Sequence, residues 1–159
     1  MKSFGFMELK RDEYDEIWDR FEDRFAFKPN YYEQVIPAIN EPPGSITYTL
    51  APEFNESALK QLNAVFLGAY RLVLPKGQWL YRLDWQHQSY KLDLHASENE
   101  QPLAIYPDGD YYITLTEDMN TGTFGHPWQQ SVCVFGDELV KHIRANTPSI
   151  FTSVIRHNA

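Results

Sequence analysis

The sequence predicts an α+β fold: an antiparallel sheet of about five strands with two or three helices packed mainly on one face. Three observations lead there. Apolar residues recur at helical spacing between residues 12 and 25 and again between 58 and 70. From Gln78 to Leu94 the period changes to two, and turn residues separate the alternating runs at short intervals. Short hairpin connections of that kind join antiparallel strands, whereas parallel strands need long crossovers. With 159 residues, 43% of them hydrophobic, the chain has material for one core and reads as one domain, residues 1–159.

The elements follow in order. Tyr14, Ile17, Trp18, Phe21 and Phe25 form one face of a helix whose other face is Asp15, Glu16, Asp19, Glu22 and Asp23, with Asp12 as the expected N-cap and Pro29 beyond the end. Phe27 to Gly44, with four prolines, reads as an irregular but apolar connection. Ser45 to Leu50 alternates like a half-buried strand. Asn55 or Ser57 caps a second helix through Leu59, Leu62, Val65, Phe66 and Tyr70, closed by Pro75 and Gly77. Trp79 to His87 and Tyr90 to Leu94 then suggest a hairpin about Gln88 and Ser89, with His87 facing Tyr90, Trp85 facing Leu92 and Leu83 facing Leu94. That register sets Asp84 opposite Asp93, a like-charge pair for which Arg82 and Lys91 could compensate.

The turn signature Pro107-Asp108-Gly109 predicts a second hairpin, from Leu103–Tyr106 to a strand over 110–116. On that strand Tyr111, Ile113 and Leu115 share one face, and Tyr112, Thr114 and Thr116 the other. Asp118 to Trp128 reads as a glycine-punctuated loop, Ser131 to Phe135 as a buried strand, and Gly136 with Asp137 as the start of a last helix. The tail after Pro148 carries weak signals.

Composition narrows function. A formal charge of −8 is opposite to what phosphate neutralisation requires, which argues against nucleic-acid binding. No apolar run is long enough to cross a bilayer and Met1 to Lys10 lacks a secretory h-region, so no membrane role and a cytoplasmic location are expected. The single cysteine, Cys133, rules out an intrachain disulfide and thiolate-rich zinc sites.

The densest chemistry lies between Tyr106 and Gly136. His126, between Gly125 and Pro127, suits a general base, with Asp118 and Asp110 as carboxylate partners; these three are the catalytic candidates. Asp84, Trp85, His87, Tyr112 and Trp128 are the binding candidates, because aromatics and charges dominate recognition surfaces. No metal or cofactor is expected: the carboxylates 108, 110, 117 and 118 match no EF-hand loop, and the predicted hairpin places His87 and His95 on opposite faces, away from a zinc shared with His126. Cys133 lies among apolar neighbours and reads as a structural thiol. Phosphate-cradling glycine loops and nucleophile elbows are missing.

The joint pattern Asp108-Gly-Asp-Tyr111 and Gly125-His-Pro-Trp128, with Leu83-Asp-Trp-Gln-His87 and Val132-Cys-Val-Phe-Gly-Asp-Glu-Leu139, resembles the bacterial family catalogued as domain of unknown function 2716. That resemblance implies no activity and no catalytic residues. The residues themselves favour a non-enzymatic binding or accessory protein, one form being an immunity-like protein that binds a basic protein. The alternative is a small hydrolase or metal-dependent enzyme with His126 at its site. Oligomeric state is open, a homodimer being a third reading.

Overall fold

The computed structural model describes residues 5–30, 35–52, 55–96 and 102–159. Residues 1–4 of the N-terminal stretch and 31–34 of the proline-rich connection therefore lie outside the described residues. The elements are β1 (Phe6–Glu8), α1 (Arg11–Phe25), β2 (Ile46–Leu50), α2 (Glu56–Val73), β3 (Leu80–Asp84), β4 (Tyr90–Leu92), β5 (Tyr112–Thr116), β6 (Gly122–His126), β7 (Ser131–Phe135), α3 (Asp137–Ala145) and β8 (Phe151–His157). One antiparallel sheet runs β1-β4-β3-β5-β6-β7-β2-β8.

The class is as expected, but the sheet has eight described strands rather than about five. Each strand that escaped the pattern has a physical reason. β1 is three residues long. β6 was expected to be loop because of its glycines, yet it lies mid-sheet between β5 and β7. Those glycines permit close approach: a Cβ at Gly122 would sit 2.1 Å from the Thr114 carbonyl oxygen, and one at Gly125 2.9 Å from Pro107. In β8 two register shifts against β2 break the alternation. The run Leu103–Tyr106 forms no strand, although Leu103, Ile105 and Tyr106 are buried.

The helices cover both faces of the sheet. Ile17, Trp18, Phe21 and Phe25 of α1 pack with Tyr81, Leu83, Tyr111, Ile113, Leu115 and Phe124 on one side. Leu62, Phe66 and Tyr70 of α2 and Leu139 and Ile143 of α3 pack with Leu80, Leu92, Val132 and Val134 on the other. A sheet buried on both faces needs apolar residues at both parities, so reading one apolar face misassigns half of them. Asn55 does cap α2, its side chain accepting from the Ala58 N–H at 2.8 Å, but α1 starts after Lys10 without a side-chain cap, not at Asp12.

The β3–β4 register is corrected by the same logic. Leu80 pairs with Leu92, Tyr81 with Lys91 and Arg82 with Tyr90, an odd-numbered slip from the expected hairpin that moves Leu92 to the opposite face from Leu83. The turn consequently spans Trp85 to Ser89 rather than two residues. Asp84 faces Tyr112 of β5, not Asp93.

Candidate functional site

The long β3–β4 turn is fixed from both ends. The His87 N–H donates to the Asp84 carbonyl at 3.2 Å, with Gln86 at φ 63° completing the reversal. The buried Ser89 hydroxyl accepts from the Asp84 N–H at 3.3 Å and from the Trp18 indole N–H at 3.2 Å, tying the turn to α1. The Tyr14 hydroxyl donates to the His87 carbonyl at 3.4 Å, and the Trp85 N–H to the Tyr111 carbonyl at 3.2 Å. The turn is thus held by the first helix and by the start of β5.

That anchoring brings three side chains together. His87 Nδ1 lies 3.1 Å from Asp84 Oδ1 and 2.8 Å from Asp110 Oδ2, and one ligand atom from each of the three residues falls within 4.8 Å of the others. Both contacts fall on Nδ1, while the His87 side chain is 64% exposed. The Asp110 side chain is only 7% exposed. Its Oδ1 accepts from the Tyr111 N–H at 2.8 Å, but Oδ2, despite its proximity to His87, is outside hydrogen-bond alignment and has no hydrogen-bond partner among the described residues. Nδ1 carries at most one proton, and its aligned contact is with Asp84.

The electrostatics record a crowded negative site. Burial and the adjoining Asp110 carboxyl push the Asp84 acid up to about 6, against the opposing pull of His87. Its hydrogen bond and charge contact with Asp84 raise His87 above its ordinary value. Tyr112, opposite Asp84 in the ladder, is also raised, by burial first and then by Asp84, Asp108 and Asp110.

The other expected residues are placed differently. His126 ends β6 at 1% exposure, its Nε2 donating to the Val35 carbonyl at 3.0 Å and its Nδ1 accepting from the Gln129 N–H at 3.1 Å. Both nitrogens are therefore engaged inside the fold, and burial lowers the pKa. Asp118 closes the β5–β6 turn, accepting from the Thr116 hydroxyl at 2.7 Å and the Asn120 N–H at 2.9 Å. Trp85 and Trp128 pack edge-on against Tyr111, at 5.4 and 5.1 Å. Asp84, His87 and Asp110 converge; His126 and Asp118 are held in separate hydrogen-bonded settings. The Cys133 thiol is buried and pushed up to about 12.

What the sequence reading missed was the convergence of Asp110 with Asp84 and His87. The available signal was Asp84 in a strand bordering Asp-Gly-Asp, but only the β3–β5 pairing makes them neighbours.

Comparison with known proteins adds kinship. The family model of proteins of unknown function, DUF2716, matches residues 8–140. The chain belongs to that family. It is also similar to the uncharacterized protein YxiI of Bacillus subtilis (strain 168), with 28% identity over 153 residues, 90% of this chain and 94% of the relative. No solved structure matches. Asp84, His87 and Asp110 all lie within the matched segment. No helix among the described residues is long and apolar enough to cross a membrane.

Proposed function

We propose that this chain is a binding protein whose Asp84–His87–Asp110 centre takes a cationic group, in its cellular setting one presented by a basic protein partner. The observation that carries this reading is the pairing of two carboxyl groups, Asp84 and the buried Asp110, with one exposed histidine, Asp110 Oδ2 keeping its His87 contact without an aligned hydrogen bond. Two acids sharing one imidazole leave an excess of negative charge, which an arriving cation would relieve. The surroundings support the same reading. Tyr14 links the centre to α1, whose outer face exposes Asp12, Asp15, Glu16, Asp19, Glu22 and Asp23. Arg20 and Arg24 offset only part of that charge and lean to the β5–β6 turn, Arg20 donating to the Glu117 carbonyl and Arg24 to the Asp118 carbonyl, each at 3.0 Å. Such a surface speeds encounter with a basic partner.

Copurification from the native host tests the reading. A partner of basic pI recovered with the wild type and lost with Asp110→Asn supports it; recovery unchanged by that substitution sinks it.

A second reading, a small acid–base enzyme, draws on the anchoring of His87 through Nδ1, which leaves Nε2 for a ligand. It moves the working histidine from His126 to His87. An activity abolished by His126→Gln but untouched by His87→Ala would refute it.

A further inference from the structure

We propose that Asp84 Oδ1, His87 Nδ1 and Asp110 Oδ2 are the protein ligands of a divalent first-row metal ion of the Zn²⁺ or Mn²⁺ type. This rests on reading the centre as a cation site and names the ion that it takes.

The spacing fits. With metal–ligand bonds of about 2.1 Å, neighbouring donors lie about 3.0 Å apart around an octahedral ion and about 3.4 Å around a tetrahedral one. The two separations from His87 Nδ1, 3.1 and 2.8 Å, are of that size without any movement of the backbone. One ligand atom from each of the three residues lies within 4.8 Å of the others, so rotation of a carboxylate brings the set to a common ion.

The donors are also prearranged. Asp84 ends β3 and Asp110 lies two residues before β5, strands joined directly through the Asp84–Tyr112 pair. His87 is fixed by the turn that begins at Asp84. Asp110 Oδ2 is buried, lies 2.8 Å from His87 Nδ1 and takes no aligned hydrogen bond among the described residues, so its lone pairs are directed to the same point as the imidazole nitrogen. Binding requires only that the proton on Nδ1 depart to Nε2 or solvent, since a metal takes the neutral imidazole.

Ligand type selects the ion. One imidazole with two carboxylates suits Zn²⁺, Mn²⁺ and their neighbours, whereas Ca²⁺ calls for six to eight oxygens and Mg²⁺ is held mainly by oxygen and water. Three protein ligands leave positions open on the side where His87 is exposed, for water or for a donor from the partner.

The test is calorimetric titration of the untagged, chelator-treated chain with Zn²⁺ and Mn²⁺, with Mg²⁺ as comparison, on the wild type, Asp110→Asn, His87→Gln and His142→Gln. One ion per chain is expected, weakened more than about tenfold by each of the first two substitutions and unaffected by the third. Circular dichroism confirms that each variant is folded. Absence of binding, binding indifferent to both centre substitutions, or loss with His142→Gln would each overturn the proposal. If no ion binds but Asp110→Asn still releases the basic partner, the metal is wrong and the cation-site reading stands. If the ion binds as expected while the partner ignores Asp110→Asn, the partner reading fails and the metal site stands.

Discussion

Two histidines flank the same tyrosine and live under opposite conditions. His126 packs against the Tyr111 ring at 5.2 Å, with both nitrogens bonded to backbone. His87 is exposed and meets Asp110, the residue before Tyr111, whose inner oxygen has no hydrogen bond. Around His126 polar groups are satisfied in turn: Arg156 donates through Nε and Nη2 to Glu41 at 2.6 and 2.9 Å and also reaches Gln129, while Glu41 accepts from Thr47 at 2.7 Å. Satisfied buried networks stabilise a fold, and unsatisfied ones persist where a ligand or a function compensates. Substitutions should therefore act with opposite sign in the two regions.

The largest effect is expected at His126. Alanine there removes a buried ring and orphans the Val35 carbonyl and the Gln129 N–H, at a cost of about 3 kcal/mol in unfolding free energy measured with urea. Partner or cation binding at the His87 centre should survive in the folded fraction. A loss under about 1 kcal/mol would mean that the imidazole is not built into the core as described.

Arg156→Met comes next. Glu41 loses its bidentate partner while remaining buried, and breaking a fully buried pair costs about 3 to 5 kcal/mol. Arg156 is 28% exposed and solvent screens part of that, so about 2 kcal/mol is expected. Glu41→Gln with Arg156→Met should recover part of the loss, a coupling that a double-mutant cycle reads directly.

How visible each region was in the sequence follows from the range of its contacts. The helical stripes of α1 and α2 and the turn at Pro107–Gly109 are local patterns, and they were legible. The parity of β3 against β4 was not, because both faces of the sheet are buried and period two then no longer says which residue faces which layer. The His126 network draws on Val35, Glu41 and Arg156, up to 115 residues apart in the chain for Glu41 and Arg156, so the sequence displayed an unusual histidine without its partners. At the other centre Asp84 and His87 were visible as binding candidates and Asp110 as a catalytic one. Their union needed the β3–β5 ladder, which no local signal encodes.

Acidification should distinguish the regions more gently. Burial holds His126 below its ordinary 6.5, so the unfolded chain binds its proton first; this stability is complete above 6.5 and falls as pH drops below it. Glu41 is pushed upward by burial, but hydrogen bonds from Arg156 and Thr47 outweigh that and hold it below 4.5; its contribution is present above 4.5 and is lost as pH falls through the lower folded value. Asp84, raised to about 6, and His87, raised above 6.5, gain stability over the same fall in pH and oppose the His126 loss, so that loss is read against His126→Gln. From pH 7 to 5.5 the urea midpoint of the wild type should decline relative to that variant, and below 4.5 both should decline. Parallel midpoints from pH 7 to 5.5 would show that His126 contributes no pH-dependent stability.

The smallest effect carries the opposite sign and is the sharpest test of the contrast. Asp110→Asn keeps the side chain's shape, and its carbonyl oxygen can still accept from the Tyr111 N–H, as Oδ1 does now. The amide nitrogen replaces Oδ2, gives up its 2.8 Å contact with His87 Nδ1 and places a donor beside the Asp84 carboxylate. A negative charge leaves the crowded centre, while His87 keeps its aligned bond to Asp84. In the absence of any added cation the variant should thus equal or exceed the wild type by up to about 1 kcal/mol, a rise of about 2 to 4 °C in Tm for a chain of this size. Functional sites commonly carry such a stability deficit. If Asp110→Asn instead destabilises the protein as His126→Ala does, the Asp110 carboxylate is a structural member of the fold and the two histidines are not opposites.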